Sequence, residues 1–80
     1  MKQIEIYENL NIIFKDILDI NEINLTNETT AEDVENWDSL SHINLIVAIE
    51  KNFNISFTTR EAKSFNNVGE MVELIFAKLN

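Results

Sequence analysis

Residues 35–53 read ENWDSLSHINLIVAIEKNF, and the period of their apolar positions decides the fold. Set 100° apart on a helical wheel, Leu45, Ile46, Ile49 and Phe53 gather on one side, as a core-facing stripe requires. The stretch therefore predicts a helix from Asp38 to about Asn52, closed by Phe53, with Asp38 placed to accept backbone N–H groups at its start. Leu40, Ile43 and Val47 fall on a different side. Two explanations stand side by side: the helix is surrounded by its neighbours, or these three form an exposed apolar strip, bordered by Asp38 and Glu50, suited to brief protein contacts. Ser39 lies in the first turn, where unpaired N–H groups and the positive end of the helix dipole favour an anion. By residue type alone, a serine in this place is usually just an ordinary helix-start serine.

Upstream, Tyr7, Leu10, Ile13, Phe14, Ile17 and Leu18 recur at spacings of three and four, predicting a first helix over about residues 3–19. Between the two helices, Ile20, Ile23 and Leu25 punctuate a polar stretch without helical period that collects Glu28, Glu32, Asp33 and Glu35, read as a long loop with room for one short helical turn. Downstream, Thr58 and Glu61 have the spacing of a capping box and predict a short helix over roughly 59–65. Asn67 and Glu70 repeat the signal before Val68, Met71, Val72, Ile75 and Leu79, which describe a last helix. The single glycine, Gly69, sits in its first turn, where a helix-interior penalty of up to about 1 kcal/mol is least felt. No proline and no repeat interrupts the pattern, and residues 54–57 are too short to found a sheet. The expected class is all-α: a small four-helix bundle of three longer helices and one short one, with almost no strand.

The chain has 80 residues, 45% of them hydrophobic, which suits one compact unit over residues 1–80 of modest stability. Fourteen acidic residues against six basic ones give a net charge of -8, which repels the phosphates of nucleic acids and anionic lipids. Such a charge suits partner proteins with basic patches, or serves solubility alone. There is no cysteine, so disulfides and thiolate metal sites are excluded. The acidic stretch 28–38 lacks the alternating ligands and central glycine of a calcium loop, and no metal ligand set is expected. MKQIEIYENL at the start is neither a secretory signal nor a membrane span, which leaves a cytoplasmic location and no membrane role as the expectation.

The order of features adds more than any one of them. Asp38-Ser39-Leu40, then LIVAIEKNF (45–53), NISF (54–57), a short capped helix and NNVGEMVELI (66–75) together resemble the acyl carrier proteins, over nearly the whole chain. The resemblance implies that Ser39 is esterified through a phosphodiester to 4'-phosphopantetheine, whose terminal thiol holds acyl groups as thioesters and supplies the one thiol the sequence lacks. It implies that Asp38 lies beside the metal-assisted transfer of that group from coenzyme A, with Leu40 completing the attachment motif. It implies partners in a phosphopantetheinyl transferase and in acyl-loading and acyl-transferring enzymes, met through Leu40, Ile43, Val47 and Glu50 by a monomer with no catalytic residue of its own. It implies also that a long acyl chain lodges between helices that open slightly.

Departures from the fatty-acid carriers are visible. Asn44 and Lys51 stand where more acid is usual, so that contact with a basic partner leans on Glu28, Glu32, Asp33, Glu35 and Asp38. Trp37 and His42 give WDSLSHINLI (37–46), similar to stand-alone carriers of natural-product or surface-glycan assembly. Trp37 is expected to pin the loop. His42, on the core side, is expected to be a neutral packing residue, with contact to the arm or its load as the lesser alternative. Two rivals remain at this level: an enzyme using Ser39 and His42 as nucleophile and base, and a non-catalytic helical interaction module with the carrier fold but no cofactor.

Overall fold

In the computed structural model, which describes residues 2–79, four helices follow one another: α1 (Gln3–Leu18), α2 (Ser39–Phe53), α3 (Thr59–Lys63) and α4 (Val68–Leu79). One 3₁₀ turn, Ala31–Asp33, interrupts the loop between α1 and α2, and no strand forms among the described residues. The all-α bundle expected from periodicity is the fold.

Each helix is bounded by local chemistry. Glu5 accepts the backbone N–H of Lys2 at 2.9 Å and closes the start of α1. At the other end Asp19 turns left-handed, φ 54°, and its N–H returns to the Lys15 carbonyl. Asn54 does the same after α2, φ 56°, bonding the Glu50 carbonyl. Short polar side chains tolerate this conformation where glycine is more usual. The capping box of α3 is complete: Thr58 Oγ1 accepts the Glu61 N–H at 3.1 Å and Glu61 Oε1 accepts the Thr58 N–H at 2.9 Å. This helix stops at Lys63, two residues short of expectation, because the Ser64 N–H and hydroxyl both turn back to the Glu61 carbonyl. Phe65 is thereby released to pack on the core.

Helix α1 packs against both α2 and α4. Its Ile6, Leu10, Ile13, Phe14 and Leu18 meet Leu45, Ile49 and Phe53 of α2 and Val68, Met71, Val72 and Ile75 of α4. Full burial of such a side chain contributes about 1.5–3 kcal/mol each, so this layer holds the bundle. Ile6, which the sequence reading left out of the core, is fully buried one turn before Leu10.

The loop from 19 to 38 is fixed by polar bonds to the helices at both its ends. Asn36 Nδ2 donates to the Leu18 carbonyl at 2.9 Å, the Tyr7 hydroxyl donates to Asn27 Oδ1, and the N–H groups of Val68 and Gly69 donate to the carbonyls of Thr29 and Asn27 at 2.8 and 3.0 Å. Two of the N–H groups left over at the start of α4 are satisfied this way. No helix is long and apolar enough to cross a membrane, among the described residues.

Candidate functional site

The site grows from the start of α2. Asp38 is extended, φ -121°, and its Oδ1 accepts the Ser41 N–H at 2.8 Å while its carbonyl accepts the His42 N–H at 2.8 Å. That cap fixes Ser39 as the first helical residue. The Ser39 side chain is exposed, and no described residue hydrogen-bonds its hydroxyl. Hydrogen bonds from the Ser41 N–H first and the Ser41 hydroxyl second, with smaller help from the backbone of Leu40 and Asp38, hold the Asp38 carboxyl below the usual carboxylate range. A fixed negative charge therefore stands beside an exposed hydroxyl, on the terminus of a 15-residue helix whose dipole points its positive end at both.

Leu40, Ile43 and Val47 are 73%, 61% and 44% exposed, whereas Leu45, Ile46, Ile49 and Phe53 are buried. The two explanations offered by the wheel are thus separated: α2 is buried along one stripe, and the second set forms a free apolar strip running from Ser39 along the helix. Glu50 borders that strip with only part of its charge available, since its Oε2 accepts the Phe57 N–H at 2.8 Å and steadies the link to α3. Glu28, Glu32, Asp33, Glu35 and Asp38 are all exposed. Asp33 is also engaged, Oδ2 accepting from the Thr30 N–H at 3.0 Å.

On the other flank of Ser39 a groove of about 660 Å³ opens between α2, α3 and the 3₁₀ turn, its walls including Asp38, Ile43, Ala62, Lys63 and Asn66. Trp37, His42 and Phe65 form its floor. Trp37 stands edge-on to Phe14 at 5.0 Å between ring centres and donates its indole N–H to His42 Nδ1 at 3.1 Å. His42 Nε2 lies 2.7 Å from the Ala62 carbonyl oxygen. Because an indole N–H only donates and a carbonyl only accepts, these contacts match the tautomer in which Nδ1 accepts and Nε2 donates. Trp37 does pin the loop, as its residue type suggested.

The same bonds remove the Ser39–His42 nucleophile pair. A general base needs a free ring nitrogen within reach of the hydroxyl, and both nitrogens of His42 are engaged elsewhere.

What sequence reasoning missed is the groove and its floor. The aromatic residues that build it, Trp37, His42 and Phe65, come from three segments, and only Trp37 and His42 had drawn notice.

Comparison with known proteins bears on this geometry. A family model described as a phosphopantetheine attachment site matches residues 10–75. The acyl carrier protein of Clostridium perfringens is 35% identical over 69 residues, covering 86% of this chain and 91% of that protein. That of Buchnera aphidicola is 33% identical over 78 residues, covering 98% and 95%. Among solved structures, a holo acyl carrier protein from Geobacter metallireducens superposes with a TM-score of 0.82 at 43% identity, covering 90% of this chain and 83% of that one.

Proposed function

This chain belongs to the acyl carrier protein family, and from that premise we propose that Ser39 is the residue bearing its covalent 4'-phosphopantetheine, with Asp38 and Leu40 completing the attachment site. As a carrier it is not an enzyme. The observation that supports Ser39 most is its hydroxyl: exposed, unbonded to any described residue, and at the positive end of a long helix where a phosphodiester is stabilised. The residues around it fit the group. Lys63 makes no ion pair among the described residues, and the groove beside Ser39 has room for the far end of a flexible arm.

When bound, the group supplies a thiol on which acyl intermediates are held as thioesters. The chain's own contribution is positioning. Asp38 fixes the first turn of α2 and sets a negative charge beside the hydroxyl, suited to drawing in the metal-assisted transferase reaction. Leu40, Ile43 and Val47, with Glu50 at their border, offer an apolar docking strip for the phosphopantetheinyl transferase and for acyl-loading and acyl-transferring enzymes. The exposed acidic loop adds charge complementary to basic partners and gives faster encounter at low salt. The whole of 1–80 acts as one carrier domain, a monomer working in the cytoplasm, and neither nucleic acid nor membrane is its partner. The pathway is a dedicated natural-product, surface-glycan or fatty-acid route, and Asn44 and Lys51 beside the strip, with Trp37 and His42, set the chain apart from the best-known fatty-acid carriers.

Incubation with coenzyme A, magnesium and a broad-specificity phosphopantetheinyl transferase tests the assignment. The intact mass should rise by one phosphopantetheine in the wild-type protein and not in Ser39→Ala, with both giving the same helical circular dichroism. Loading that persists in Ser39→Ala would refute it. A wild-type chain that no transferase loads would return the cofactor-free interaction module to first place.

A further inference from the structure

The floor of the groove is built so that it separates Ser39 from the hydrophobic core. Trp37 and Phe65 line the groove on one face and pack on the core with the other. The chain of hydrogen bonds from the Trp37 indole through His42 to the Ala62 carbonyl ties the residue before α2 to α3, at 3.1 and 2.7 Å. Aromatic rings surround it: Trp37 stacks on His42 at 6.0 Å, His42 meets Phe65 edge-on at 6.4 Å, and Phe65 meets Phe57 edge-on at 5.9 Å. Glu50 holds the Phe57 N–H and so braces the same seam.

Beneath it Phe14, Leu45, Ile49, Met71 and Ile75 have no exposed surface at all. An alkyl chain passing from Ser39 into that core would have to part the seam. The Trp37 N–H and the Ala62 carbonyl would then lose their partners in an apolar setting, which offsets the gain from burying methylenes.

The groove outside the floor has a different character. Its walls carry the Lys63 ammonium, unpaired among the described residues, and the Asn66 amide, whose Nδ2 reaches Glu70 at 3.4 Å. Much of the remaining lining, Ala31, Ile43 and Ala62 with the aromatic rings, is apolar, so the groove suits a short acyl chain while Lys63 offers a donor to a substituent that accepts a hydrogen bond.

Resting on the carrier reading, we propose that the Trp37–His42–Ala62 bridge is a specificity element that holds the thioester cargo in the surface groove, and that this carrier is built for short acyl groups bearing polar substituents and disfavours long alkyl chains. Lys63 and Asn66 are the contacts for the substituent. His42 is a positioning residue in this device, acting through the seam it ties.

Chemoenzymatic loading of Ser39 with a 3-hydroxybutyryl arm and, separately, a dodecanoyl arm tests it, with intact mass confirming each product. Failure to load either arm would strike at the carrier reading itself, whereas the outcomes below concern loaded protein only. In the wild type, 3-hydroxybutyryl should shift the amide signals of Lys63 and Asn66. Neither cargo should move the methyl signals of Leu45, Ile49 and Ile75, and the Trp37 indole N–H should stay slow to exchange with both. In Trp37→Phe, which keeps a ring on Phe14 and removes the donor, and in His42→Ala, dodecanoyl should shift those core methyls and raise the melting temperature. Dodecanoyl that enters the wild-type core overturns the proposal, and so does equal exclusion of dodecanoyl by the folded variants. Should His42→Ala not fold, Trp37→Phe alone decides.

Discussion

A methyl group added at Gly69 would lie 2.9 Å from the Asn27 carbonyl oxygen and 3.1 Å from the Asn27 Cα, both backbone atoms that cannot swing aside. Glycine is therefore required there by the neighbouring loop, which uses that same carbonyl to accept the Gly69 N–H. Helix propensity argues the other way, favouring alanine by about 1 kcal/mol in a helix interior. Crowding of this kind typically costs about 1–3 kcal/mol, so Gly69→Ala should lower the urea midpoint with an unchanged slope. A rise in midpoint would show that the loop yields freely. At the same scale, His42 is held through both ring nitrogens at once, by the Trp37 indole and the Ala62 carbonyl.

Among the elements, α2 carries the proposed attachment serine, and its start depends on one carboxylate. Asp38 is fully exposed, so its charge is well screened by solvent and its effect on stability is modest. Its direction is nevertheless definite. The Ser41 N–H depresses the folded-state pKa of Asp38, so the cap stabilises the protein above the unfolded carboxylate range near about 4 and loses this effect as pH falls through the lower folded value. The melting-temperature difference between wild type and Asp38→Ala should hold steady from neutral pH to about 5 and shrink below about 4. A difference that grows with acid would contradict the cap. Transferase loading at neutral pH should be slower in the same variant, since the charge beside Ser39 is gone.

Over the whole molecule, stability rests on a thin core shared by α1, α2 and α4. At roughly 0.05–0.15 kcal/mol per residue, a domain of this length has about 4–12 kcal/mol in total. Phe14 is fully buried and also supports Trp37 from beneath. Phe14→Ala should cost about 3–5 kcal/mol, a large part of that reserve, and should broaden the Trp37 signals in near-ultraviolet circular dichroism at ambient temperature. The net charge of -8 acts at this scale too, repelling other polyanions, while the exposed strip of Leu40, Ile43 and Val47 stays apolar.

Local rules were enough for much of this protein. The periods around Leu10 and Leu45, the box of Thr58 and Glu61 and the cap at Asp38 each depend on residues within a turn or two of one another, so chain order alone carried the four helices, whereas Ser39 stood out only through the family resemblance. The wheel could sort α2 into two apolar sets but could not say which faced water, because that depends on where α1 lies. Likewise the need for Gly69, the burial of Leu25 and the bridge from Trp37 through His42 to Ala62 join residues far apart in sequence. Such contacts exist only once the helices have packed, since steric exclusion and paired hydrogen bonds are properties of distances in space that no spacing along the chain encodes.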